Sequence, residues 1–127
     1  MTSSTPARFC MDDGLKHQAL QWFENGDHDL DTAQLLLEQR GHPEAIAYHI
    51  QQSIEKYLKG YLVANAVKPP KIHELDSLLR KASKIDISVY EPFIDLCEKA
   101  TKYYFEGRYP PGPPAFYTYQ ELKDPRL

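Results

Sequence analysis

Apolar side chains recur along most of this chain at intervals of three and four, the spacing that gathers them on one face of an α-helix. Over Leu15–Gln39 the series is Ala19, Trp22, Phe23, Leu30, Ala33 and Leu37, with Gly41 placed to stop the helix. Gly26 lies inside this stretch and costs about 1 kcal/mol relative to alanine, which leaves room for a kink near Asn25–Asp27. A second helix is predicted from Pro43 to about Ala66, with Pro43 and Glu44 in its first turn. Its apolar stripe is Ala47, Ile50, Ile54, Leu58 and Tyr61, and Glu55 and Lys59 form an i,i+4 pair. Lys68-Pro69-Pro70-Lys71 must be extended, because consecutive prolines exclude a helix interior. A short third helix, capped by His73 or its neighbour, turns Leu75, Leu78 and Leu79 inward. The fourth opens at Ser88-Val89-Tyr90-Glu91, which has capping-box spacing, and tolerates Pro92 in its first turn. Phe93, Leu96, Cys97, Ala100 and Tyr104 carry it to Glu106, and Gly107 ends it.

No segment alternates with the period of two that marks a strand, so the predicted fold is all-α. The architecture is an antiparallel up-and-down bundle of four main helices. Residues 1–14 read as a flexible leader, 15–108 as the bundle, and 109–127 as a tail rich in proline and aromatic residues. That tail has room for one terminal helical turn over Tyr119–Lys123.

Composition narrows the class. A chain of 127 residues with 42% apolar and 26% charged side chains fits one globular domain rather than a disordered chain. No apolar run approaches the ~20 residues needed to span a bilayer. Met1–Cys10 holds no apolar stretch of signal-peptide length, so the expected location is cytoplasmic, with Met1 or Met11 as the start. Cys10 and Cys97 fit neither a disulfide framework nor a zinc spacing. The net charge of −3 is unevenly spread: residues 1–39 carry −5, residues 40–84 carry +4 and the remainder −2. A basic middle between acidic ends either makes an anion site or pairs the segments with one another.

The search for chemistry excludes more than it finds. The five histidines, His17, His28, His42, His49 and His73, form no HExxH, and no glutamate is followed by histidine three residues on. Neither a metal nor a cofactor is expected. Asp27, Asp29 and Asp31 read as a solvated acidic face. There is no glycine-rich phosphate loop, no G-x-S-x-G and no cysteine beside a plausible base. Two features remain. His49, Gln52, Lys56 and Lys59 share one face of the second helix, where two ammonium groups, an amide and an imidazole suit phosphate oxygens. Gly107-Arg108-Tyr109-Pro110 sets an arginine at the end of the fourth helix, suited to bidentate phosphate contact. Each also has an ordinary reading: the stripe as a solvated face, Arg108 as a partner of the helix dipole.

The segment Ala45–Lys59, AIAYHIQQSIEKYLK, resembles the signature of the HEPN family, the nucleotide-binding domain named for higher eukaryotes and prokaryotes. That pattern, an alanine and an aromatic followed by QQ-x-x-EK-x-x-K, is matched by Ala47, Tyr48, Gln51, Gln52, Glu55, Lys56 and Lys59. The family's first helix, W-x-x-x-A-x-x-D-L-x-x-A-x-x-L, is matched by Trp22, Asp29, Leu30, Ala33 and Leu36, with Gly26 in place of the alanine. His73-Glu74-Leu75 and Arg108-Tyr109-Pro110 match two further segments, in the same order. The resemblance implies a helical bundle, usually a homodimer, whose cleft binds nucleotide or RNA. It also implies a possible minimal nucleotidyltransferase partner in a toxin–antitoxin pair. Ribonuclease members carry Arg-x(4–6)-His at the end of the fourth helix; here the histidine positions are Pro113, Pro114 and Ala115. Family members continue into a fifth helix, about where this sequence ends, so a partner or a second copy is expected to cover its groove.

The expectation is therefore a non-catalytic nucleotide- or RNA-binding protein. His49, Gln52, Lys56, Lys59, Arg108 and Tyr109 are its candidate ligand residues, with Tyr104 or Tyr109 stacking on a base. One alternative is a metal-independent ribonuclease toxin using Arg108 with His73 or His49. The other is a structural, antitoxin-like protein-binding module.

Overall fold

The computed structural model describes residues 13–108, with side chains through Phe105. They form α1 (Asp13–Glu38), α2 (Pro43–Ala64), α3 (Leu75–Ile85), a 3-10 turn (Ile87–Val89) and α4 (Tyr90–Arg108). There is no strand among them, and the packing is that of a helical bundle. No helix among the described residues is long and apolar enough to cross a membrane.

The helix α2 is the axis of the molecule, with α1 along one side and α3 and α4 against the other. The main core joins Ile46, Ala47 and Ile50 of α2 to Ala33, Leu75, Leu79, Cys97, Ala100 and Tyr103. A smaller cluster holds Leu62, Leu78 and Ala82. All three leucines expected to face inward on α3 are fully buried. On α4 the buried ring is Tyr103 rather than Tyr104, and Phe93 stays half exposed. Leu30 of α1 is also half exposed, because α1 packs chiefly on α2 and leaves its far side open. Burial pushes the Cys97 thiol up to about 11, so it is an inert core group at neutral pH.

Several element ends differ from expectation for identifiable reasons. Asp13 and Gly14, assigned to the leader, open α1. Gly26 does not break α1. A Cβ there would stand 2.9 Å from the Tyr57 ring, so the glycine permits close approach of α2. Gly60 does the same from α2, where a Cβ would meet the Phe23 ring at 2.6 Å. The left-handed residue that ends α1 is Arg40, φ 56°, and not Gly41. The Gly41 N–H reaches the Leu36 carbonyl at 2.7 Å and the Arg40 N–H reaches Leu37 at 3.2 Å, the two bonds of a Schellman ending. Ala66, φ 60°, ends α2 in the same manner, through Val67 to Leu62 and Ala66 to Val63. Ser88 does not cap α4. Asp86 accepts its N–H at 3.0 Å and its hydroxyl at 2.7 Å, which stabilises the 3-10 turn ahead of α4 and draws the Asp86 carboxyl below its usual range. Gly107 lies inside α4, which runs through Arg108. Most of the leader and the whole tail lie outside the described residues.

Candidate functional site

The polar stripe of α2 does not meet a single environment. Flanked by α1 on one side and by α3 and α4 on the other, α2 divides its four members three ways. His49 and Lys56 face α1, where both reach Asp29: His49 Nδ1 lies 2.9 Å from Oδ1, and Lys56 Nζ donates to Oδ2. Asp29 is buried, so the expected solvated acidic face is corrected at that position, whereas Asp27 and Asp31 are exposed. Asp27 accepts a hydrogen bond from the Tyr57 hydroxyl, and burial together with that bond raises the tyrosine's pKa to about 12. Lys59 is 7% exposed, its ammonium donating to Glu55 Oε2 at 3.0 Å and lying 5.7 Å from the centre of the Trp22 ring. Only Gln52 of the four lines an open groove.

That groove has a volume of about 900 Å³. Its walls come from the first turns of α2 (His42, Glu44, Tyr48), the entry to α3 (His73, Glu74) and the end of α4 (Thr101, Tyr104, Phe105). Tyr48 and Tyr104 have their ring centres 6.0 Å apart at 32°, and Phe105 meets Tyr104 edge-on at 5.3 Å. These rings offer flat apolar surface of the kind on which bases stack. Two helices also begin here. Neither N-cap residue, His42 or Glu74, accepts a first-turn N–H with its side chain, so the groove faces positive helix ends. Glu44 and Glu74 at the same rim partly offset that field. Arg108 occupies the α4 position one turn beyond Tyr104, and Tyr109 lies outside the described residues.

The residue fixed most firmly at the groove is His73. Gln51, buried one turn before Glu55, donates to the His73 carbonyl at 3.1 Å, and Gln52 donates to Gln51 at 3.1 Å. The His73 ring places Nδ1 2.9 Å from Glu55 Oε2. Glu55 is 6% exposed while the imidazole is 76% exposed, so the histidine has one edge at a buried carboxylate and the other at the groove. The same Glu55 oxygen thus meets both the Lys59 ammonium and the His73 ring. Glu55 Oε1 is buried and has no partner among the described residues.

Sequence reasoning named His73, Gln52 and Tyr104, which the fold brings to one groove, and His49, Lys56 and Lys59, which it turns elsewhere. It missed His42 and Phe105 as lining residues, Tyr48 as a groove wall and Glu55 as the holder of His73. Spacing gave Glu55 and Lys59 as an i,i+4 pair, which forms, but it did not report that both are buried. The usable signal was small residues on the α1-facing side of α2, Ser53 and Gly60, a full two turns apart and opposite the leucine-contacting side. A helix with such faces on two sides buries its intervening polar residues. No group of three or more histidine, cysteine, aspartate or glutamate side chains suited to a metal occurs among the described residues.

Comparison with known proteins agrees with this architecture at the level of family. No protein of curated function and no solved structure matches the chain. The HEPN domain matches residues 19–124, which takes in α1 from Ala19 onward, the whole of α2, α3 and α4, and most of the tail. Of the residues that carry the sequence resemblance, Gln51, Glu55 and Lys59 are buried, and Gln51 and Glu55 hold His73 at the groove. The chain belongs to the HEPN family, and with it to nucleotide- or RNA-related function.

Proposed function

We propose that the groove binds a nucleotide or a short single-stranded RNA segment, with bases against Tyr48, Tyr104 and Phe105. The observation that carries this reading is the juxtaposition of that aromatic wall with two helix N-termini and the exposed edge of His73. Phosphate oxygens would meet Gln52, His73 and the Glu44 N–H in the first turn of α2, and Arg108 and Tyr109 stay candidate ligands on the family resemblance. In this reading Lys56 and Lys59 support the fold: their ammonium groups are engaged by Asp29 and Glu55. His49, held by Asp29 on the α1 side, acts likewise. The wider setting is a homodimer working in the cytoplasm with a minimal nucleotidyltransferase as a toxin–antitoxin-like pair, which rests on the family resemblance.

Fluorescence anisotropy with a short labelled RNA, and calorimetry with ATP and GTP, test the reading. Losing one stacking ring costs about 1–3 kcal/mol, so Tyr104→Ala is expected to weaken RNA binding roughly tenfold or more. Lys56→Ala should leave it near the wild-type value. The reverse ranking would move the site to the α1-facing side of α2. No binding by either method would favour the antitoxin-like protein-binding module.

A further inference from the structure

We propose that the flank of the bundle built from the α2–α3 connection and the outer side of α3 is a docking surface for a second copy of this chain, which meets it with the outer ridge of α1. The contact is head-to-tail and lies away from the groove, so it stands or falls independently of the nucleotide reading.

Residues 65–85 carry five basic and two acidic side chains, in a chain whose net charge is −3. The fold gathers the lysines among them around one buried cluster. Leu62, Leu78 and Ala82 form that cluster, and Ile72 and Ile85 pack against it. Lys71 adjoins Ile72, Lys81 adjoins Ala82 and Lys84 adjoins Ile85. Lys68 follows Val67, whose N–H reaches the Leu62 carbonyl at 2.8 Å. All four lysines are exposed, and none forms an ion pair among the described residues. Arg80 differs: Asp76 engages it at 3.1 Å and the Tyr90 ring lies beneath it. Val67 is an exposed aliphatic side chain at the same cluster, and Ile87, in the turn after α3, is 77% exposed. Lysines around exposed aliphatic groups suit a protein surface better than they suit stacked bases.

The outer side of α1 is the complement. Leu20, Glu24, Asp27, Asp31 and Leu35 recur at intervals of three and four, all exposed, on the side away from Ala19, Gly26 and Ala33, which are buried. Three carboxylates therefore lie along a ridge between two leucines that are at least half exposed. Because α1 and α3 pack on opposite sides of α2, one molecule cannot close its acidic ridge on its own basic flank. Two copies can, each offering a different surface. Opposite charge orients them, and the aliphatic side chains supply area to bury.

Sedimentation of the whole chain in low and high salt tests this. The wild type is expected to gain mass with concentration at about 0.05 M salt, and the association should weaken roughly tenfold by about 0.5 M. Lys71→Glu with Lys81→Glu blocks the flank, and Glu24→Lys with Asp31→Lys blocks the ridge. All four positions are exposed, so circular dichroism should find both variants folded. Each variant alone should keep its high-salt mass in low salt. An equimolar mixture should regain the association that neither shows alone, which is the mark of a contact between two different surfaces. A wild type with the same mass in low and high salt overturns the proposal. So does association that survives in either variant, or that fails to return on mixing. Without self-association, binding of a labelled RNA that Lys71→Glu with Lys81→Glu abolishes would overturn it and give the flank to nucleic acid.

Discussion

Two clusters on α2 use the same three groups and reach different ends. Each has a buried carboxylate, an imidazole Nδ1 at 2.9 Å from it, and a lysine ammonium. Facing α1, Asp29 gives one oxygen to His49 and the other to Lys56, so both acceptors are used and both partners keep part of their surface in water. Facing α3, Glu55 receives His73 and Lys59 on a single oxygen and leaves the other without a partner among the described residues. There the lysine is the buried member and the histidine the exposed one. The first arrangement is a clamp between two helices, satisfied and closed. The second gathers buried charge behind one accessible ring and leaves one carboxylate oxygen without a partner among the described residues, a costlier arrangement than the first.

The sharpest way to break this comparison is to remove each cation in turn. Lys59→Ala leaves Glu55 buried with only His73, and is expected to cost about 3–5 kcal/mol in denaturant unfolding. Lys56→Ala leaves Asp29 with His49 at a site that water reaches, and is expected to cost roughly 1 kcal/mol. Equal losses would show that the two clusters share one energetic role.

The α1 side is sharpened by its neighbouring tether, Tyr57 to Asp27. Tyr57→Phe removes one hydrogen bond and should cost about 1 kcal/mol. The raised pKa makes its sign specific. The neutral phenol is favoured in the fold, so the contribution is complete below pH 10 and fades as pH rises from 10 towards 12. Ultraviolet titration of wild type and Tyr57→Phe should differ by one tyrosine near pH 12. A difference centred at 10 would mean that the tether is open in solution.

The smallest effect belongs to a change outside both clusters. Ala66 holds φ 60° at the end of α2, a conformation that glycine adopts without steric cost. Ala66→Gly should therefore raise stability, by about 0.5–1 kcal/mol, with no effect on either cluster. A loss would show that the left-handed turn carries no strain and that the entropy of the unfolded glycine dominates.

How far the sequence could be read follows the same division. Leu75, Leu78 and Leu79 were legible because a short amphipathic helix has one wet side, and period then equals orientation. The axis helix offered no such shortcut. Glu55, Lys56 and Lys59 have the composition of a surface, and the close approach of α1 at Gly60 buries Lys59 beside Trp22 and brings Asp29 to Lys56. His73 was legible as a motif residue, but its partner Glu55 lies 18 positions earlier, and local patterns do not report such pairs. Gly26 sits inside α1 because the Tyr57 ring needs the space, a tertiary reason that propensity does not report, and α4 runs past Gly107 to Arg108.

The buried cysteine of α4 has a practical consequence. Cys97 precedes Thr101 by one turn, and Thr101 and Tyr104 form the groove wall. A thiol reagent reaches Cys97 only when α4 lifts from α2 and α3, so its rate of modification counts those openings. Any molecule seated against that wall holds α4 down and slows the reaction by the factor 1 + [L]/Kd. The chain thus carries its own reporter of occupancy, one that registers an unlabelled ligand before its chemical identity is known.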